Sequence, residues 1–65
     1  MNFYIYVTCR EGKGNFLAAT VNERRAITAV VIGLKETYKP LGFEGANVYE
    51  NYAITNNPPI HVFRF

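Results

Sequence analysis

Two apolar runs near opposite ends of the chain constrain its fold more than any other feature. Asn2 to Arg10 reads NFYIYVTCR, and Ile60 to Phe65 reads IHVFRF. Both are dense in aromatic and β-branched residues, the composition of a strand. In the first run, alternation puts Phe3, Ile5, Val7 and Cys9 on one face and Tyr4, Tyr6 and Thr8 on the other. The second run is apolar at both parities, so its phase stays open. The alternatives are Ile60 with Val62, or His61 with Phe63 and Phe65, on the uncovered side of a sheet.

Between these runs the chain reads as strand, helix, strand. Glu11-Gly12-Lys13-Gly14 is a turn, because glycine enters positive φ without steric cost. Asn15 to Ala19, extending towards Val21, is the return strand of a hairpin. Thr20-Val21-Asn22-Glu23 matches a capping box, with Asn22 as a competing N-cap. A helix then runs to about Tyr38. Its buried stripe is Ile27, Val30, Val31, Leu34 and Tyr38, at the i, i+3, i+4, i+7 spacing. Pro40 and Gly42 stop it. Leu41 to Ala46 is a loop, Asn47 to Thr55 is a third strand, and Asn56-Asn57-Pro58-Pro59 is a turn.

The expected fold is therefore α+β, a ββαββ two-layer sandwich with one helix on a four-stranded sheet. With 65 residues the chain is one domain, 1–65. The first and last strands are the most apolar, and strands buried on both faces read as near-continuous apolar runs. This places them side by side in the centre, in the order 2-1-4-3. That is the layout of a minimal β-grasp, a likeness of topology alone. A fully antiparallel meander is the alternative.

Composition removes whole classes of chemistry. Asp, Ser, Gln and Trp are absent, and His61 and Cys9 are the only histidine and cysteine. A Ser-His-Asp triad is thereby excluded. A structural zinc ion needs four Cys or His ligands, so no metal and no cofactor is expected. One cysteine forms no internal disulfide, and no apolar run reaches the length of a membrane-spanning helix. A reducing, cytoplasmic setting is expected, with no membrane partner. Cys9 with His61 could form a nucleophile and base only if the fold joined them, and buried structural cysteine is far commoner. Gly12-Lys13-Gly14 lacks the spacing, the Ser or Thr and the following helix of a phosphate-binding loop. Gly42-Phe43-Glu44-Gly45 is too short for a dinucleotide fingerprint. No constellation of general acid and base emerges, and an enzyme is not expected.

What remains is surface. Hydrophobic residues make up 49% of the chain and charged residues 18%. A domain this small cannot bury them all. Ile32 falls about 140° around the helix from Ile27, beside Arg25 and Glu36, on the side away from the stripe. Ala26, Ala29 and Gly33 form a flanking strip of small residues that could seat another helix. Tyr4 and Tyr6 belong to the sheet face without a helix. A large contiguous apolar patch is rare on a monomer. The expectation is a small non-enzymatic protein-binding module that meets a protein partner, a homodimer mate, or both. Its partner-binding residues are Tyr4, Tyr6, Arg25, Ala29, Ile32, Gly33 and Glu36. A freestanding product of this size suits a phage or mobile-element accessory protein that modulates or inhibits a larger host protein.

The alternative function is single-stranded nucleic-acid binding. Tyr4 and Tyr6 would stack bases while Arg10, Lys13 and Arg64 meet phosphates. The net charge of +2 is modest for that role, and the RRM consensus is missing.

Overall fold

The computed structural model describes residues 2–11, 15–50 and 58–65. Strand β1 spans Phe3–Cys9 and pairs antiparallel with β2, Asn15–Val21. Alternation in β1 holds to the residue. Phe3, Ile5, Val7 and Cys9 are buried, while Tyr4, Tyr6 and Thr8 are half-buried on the opposite face. The glycine turn between these strands and the segment 51–57 lie outside the described residues.

The helix begins later than the capping box implies. Thr20 and Val21 remain in the ladder, opposite Tyr4 and Phe3, so Thr20 is not available as a cap. A 3-10 turn covers Arg24–Ala26 with Glu23 as N-cap, and neither it nor α1 has a side-chain cap hydrogen bond. Neither Thr20 nor Asn22 caps α1, which spans Ile27–Thr37. The stripe is as the spacing requires. Ile27 and Val31 are buried, and Val30, Leu34 and Tyr38 pack against the core around them. A second 3-10 turn, Lys39–Leu41, contains Pro40 and ends at Gly42 with φ 77°. Only glycine adopts that left-handed conformation without penalty.

The third strand begins earlier than its polar residues suggest. Strand β3 is Phe43–Tyr49, so 43–46 is strand and not loop. The connection out of the helix is already tied to the sheet. Arg10 N–H donates to Gly42 O (2.9 Å) and Glu11 N–H to Leu41 O (3.0 Å), extending β1 across the turn. Ala46 and Val48 then fall into the core beside Val7 and Ile5. Strand β4 is His61–Arg64.

The sheet order is β2-β1-β3-β4, with every pairing antiparallel. The α+β class and the helix-on-sheet layers are as expected. The 2-1-4-3 order is not, and of the alternative meander the fully antiparallel pairing holds but the sequential strand order does not. Strand β3 takes the place beside β1 that apolar content had assigned to β4. Length and fit account for this. Both β1 and β3 have seven residues, and β4 has four. Small residues in β3 also admit a close neighbour: a Cβ on Gly45 would stand 2.4 Å from Phe63 O. Strands β2 and β3 consequently run the same way on either side of β1, and the helix crosses between them.

The core is Phe3, Ile5, Val7, Cys9, Ile27, Val31, Ala46 and Val48. It contains no residue of β4. Burial of each large member is worth roughly 1.5–3 kcal/mol. The helix lies over β1, β2 and β3. A helix is about 10 Å across, while four strands at ~4.8 Å spacing spread over more than 14 Å. One helix therefore leaves an edge uncovered, and that edge is β4.

Candidate binding edge at strand β4

Register fixes the phase of the last strand. Phe63 opposes Ala46 and His61 opposes Val48, both core-facing positions of β3. His61, Phe63 and Phe65 therefore project on the helix side, while Val62 and Arg64 share the other face with Asn47 and Gly45. The helix-side residues form a ring ladder. His61 and Phe63 have centroids 4.4 Å apart, and Phe63 stacks on Phe65 at 6.4 Å. Phe43 closes on Phe65 at 5.5 Å.

Among the described residues this ladder has no lid: Phe65 is 57% exposed, and Val62 (42%) on the other face and Ile60 (37%) beside the strand are exposed as well. Helix α1 forms one wall of a groove beside it. The groove has a volume of about 240 Å³ and is lined by Arg24, Ile27, Thr28, Ile60, His61 and Phe63. Thr28 and Lys35 identify the helix flank that meets β4: Thr28 lines the groove, and Lys35 Nζ sits 4.6 Å from the Phe65 ring centre. Ile32 lies between them in sequence, some 40–60° further round the helix, and is 55% exposed. Its predicted exposure is met, and its flank is the one beside β4.

The polar frame of the edge carries both signs, with Glu44 lining one concavity beside Arg64, Gly45 and Val62. Arg24 reaches Glu50 (3.8 Å) and lies over the Phe3 ring at 5.3 Å. Lys35 and Arg64 form no ion pair among the described residues, which include all five glutamates. Beyond the end of α1, Arg10, Lys35 and Lys39 border a second concavity with Glu36, Gly42 and Phe43.

The other residues singled out from the sequence are dispersed. Tyr4 and Tyr6 lie on the sheet face opposite the helix, so they share no surface with Ile32. Tyr49 joins them there, with its ring edge-on to Tyr6 at 5.5 Å. Arg25 is exposed and its Nε donates to Glu23 Oε1 (3.1 Å). Ala29, Gly33 and Glu36 are exposed. A Cβ on Gly33 would meet nothing within 4 Å, so this glycine makes no close approach among the described residues. Arg10 stands at the end of β1 and Arg64 on β4, while Lys13 lies outside the described residues.

The fold separates Cys9 from His61. Cys9 opposes Phe43 and His61 opposes Val48. They sit near opposite ends of β3, about 17 Å apart along the strand. Cys9 is buried in the core, and the pair cannot form a nucleophile and its base.

Sequence reasoning offered Ile60 with Val62, or His61 with Phe63 and Phe65, for an uncovered sheet face, but it put their strand in the centre of the sheet and so missed that they line one edge together with Thr28. The pattern IHVFRF, apolar at both parities, was read as that of a central strand. An edge strand with two apolar faces gives the same pattern. Comparison with protein-family models, curated proteins and solved structures finds no match to this chain.

Proposed function

We propose that this chain is a non-enzymatic protein-binding module that engages its partner through β4 and the adjoining flank of α1. The observation that carries this reading is an uncovered apolar edge. Ile60, Val62 and Phe65 are exposed on and beside a terminal strand of the sheet, and Ile32 is exposed on α1. Edge strands are normally short, charged, bulged or covered, because their free main-chain groups recruit other strands. Strand β4 is short and carries Arg64, but its remaining residues invite contact. Exposed aromatic rings beside an arginine match the composition of binding hot spots.

The role that fits such a surface is that of a small accessory protein which occupies a larger protein and alters its activity. A phage or mobile-element origin, with a host protein as target, belongs to this proposal. Residues Ile32, Phe63 and Phe65 carry binding in it, and Tyr4 and Tyr6 do not.

The test is capture of a partner from the native cell by three tagged forms of equal thermal stability. Wild type and Leu17→Glu, which alters the opposite edge, retain the same species. Phe65→Glu loses it. Equal retention by all three overturns the assignment to β4, as does a wild-type protein that retains nothing and binds no apolar dye.

A second reading rests on Tyr4, Tyr6 and Tyr49 sharing one sheet face with Arg64. Such a face can stack unpaired bases. In this reading a single-stranded oligonucleotide binds at low salt, weakens steeply as salt rises, and is lost in Tyr4→Ala/Tyr6→Ala. Absence of binding at low salt removes it.

A further inference from the structure

We infer that β4 opens and recloses as a unit of its own while β1, β2, β3 and α1 stay folded, so that the sheet has two alternative rims. The opening requires no partner. Three observations carry it.

The first is where the buried apolar contact lies. All eight core side chains come from β1, α1 and β3. On β4, His61, Val62 and Arg64 are exposed, and only the half-buried Phe63 packs against the core. The free energy of a local opening follows the apolar contact that it breaks. Release of β4 breaks the Phe63 contact and leaves the packing among the eight core residues as it is.

The second is how the strand is attached. It pairs with β3 alone. Phe65 N–H donates to Glu44 O (3.3 Å), a long bond, and Phe63 opposes Ala46 in the same register. The odd-numbered residues therefore turn their main-chain groups towards β3, while Val62 and Arg64 turn theirs outward. Among the described residues, no side-chain hydrogen bond or ion pair joins β4 to another element. The ring contacts of Phe63 with His61 and Phe65 are internal to the segment and survive release. The ties of Phe65 to Phe43 and Lys35 do not.

The third is what stays behind. Strand β3 keeps its pairing with β1 from Phe43 to Tyr49 and its place under α1. Three strands packed on a helix meet the usual requirement for independent stability. With β4 away, β3 becomes the rim and bares the main-chain groups of Glu44 and Ala46 that faced Phe65 and Phe63.

The experiment is amide hydrogen exchange of the intact protein, followed residue by residue by NMR at rising, sub-denaturing urea. After correction for intrinsic rates, the Phe63 and Phe65 amides exchange at least about tenfold faster than Val31 in α1, and urea barely changes their rates, because a local opening exposes little surface. Val31 carries the full urea dependence of global unfolding. Residue 45 supplies a second handle, since a Cβ there would stand 2.4 Å from Phe63 O. In Gly45→Val, Phe63 and Phe65 lose their protection while Val31 stays protected and the helical circular dichroism persists. Exchange of Phe63 and Phe65 at the rate and urea slope of Val31 overturns the inference, because β4 then opens only with the whole domain. A Gly45→Val chain that has lost its helical circular dichroism and the protection of Val31 overturns it as well.

Discussion

The sheet has two edges, and they are finished differently. Strand β2 lies under the helix. Its Phe16 meets Tyr38 edge-on at 5.3 Å, and its ladder with β1 skips Ala18 between Ala19 and Leu17. That irregularity and the small residues Ala18 and Ala19 blunt the edge, leaving Leu17 as its only large exposed hydrophobic residue. Strand β4 lies beyond the helix, keeps an uninterrupted register with β3, and exposes large apolar side chains on both faces. The contrast teaches that edge position does not set exposure. The helix, which crosses from β2 to β3, decides which edge is roofed.

The largest expected difference comes from proline. Phe65 N–H donates to Glu44 O (3.3 Å) and Phe63 opposes Ala46 in the same register, so Phe63→Pro removes an N–H that faces β3, leaves the Ala46 carbonyl without its donor, and destabilises the domain by about 3 kcal/mol. Val62→Pro, one residue away, faces outward and costs less than about 1 kcal/mol. Urea denaturation of the two variants checks this, and equal losses break the assignment of the free edge.

Truncating one aromatic on each edge gives the next effect. Phe16→Ala costs about 2–3 kcal/mol because the ring is part of the packed layer, while Phe65→Ala costs under about 1 kcal/mol. Phe65→Ala nevertheless reduces partner capture. Gly45→Ala is expected to cost about 2 kcal/mol, since its methyl group would collide with Phe63 O and push β4 away. Faster amide exchange confined to β4 is the corresponding signature. Gly33→Ala, on an open helix face, raises stability by up to about 1 kcal/mol, read as a higher Tm. Ile32→Glu changes stability by less than about 0.5 kcal/mol but weakens capture. A capture level equal to wild type confines the binding surface to β4.

Much of the local structure was legible. The alternation of β1 and the stripe of α1 each follow from a period of apolar side chains, and both survive unchanged because they set which face meets the core. The stop at Gly42 follows from backbone sterics. The start of the helix was not legible, since Thr20 can serve either a ladder or a cap, and its opposition to Tyr4 settles the choice. The start of β3 was hidden for a similar reason. Glu44, Gly45 and Ala46 have poor strand propensity, and only pairing with β1 and β4 makes that segment a strand. The proposed binding edge was half legible: Ile32 was marked by its helical angle, whereas Phe63 and Phe65 were one of two sets offered for an uncovered face, on a strand placed in the centre of the sheet instead of at its edge.

The sequence by itself determined the layers: which residues alternate, which form the helical stripe, and that one helix must serve several strands. Those features depend on the periods of local structure, 2 and 3.6 residues, which every chain carries in its own order. Only the tertiary structure decided that β3 lies beside β1 and that β4 is left at the rim. That choice depends on strand length and on contacts between residues far apart in the chain, where apolar content alone cannot distinguish a buried centre from a sticky edge.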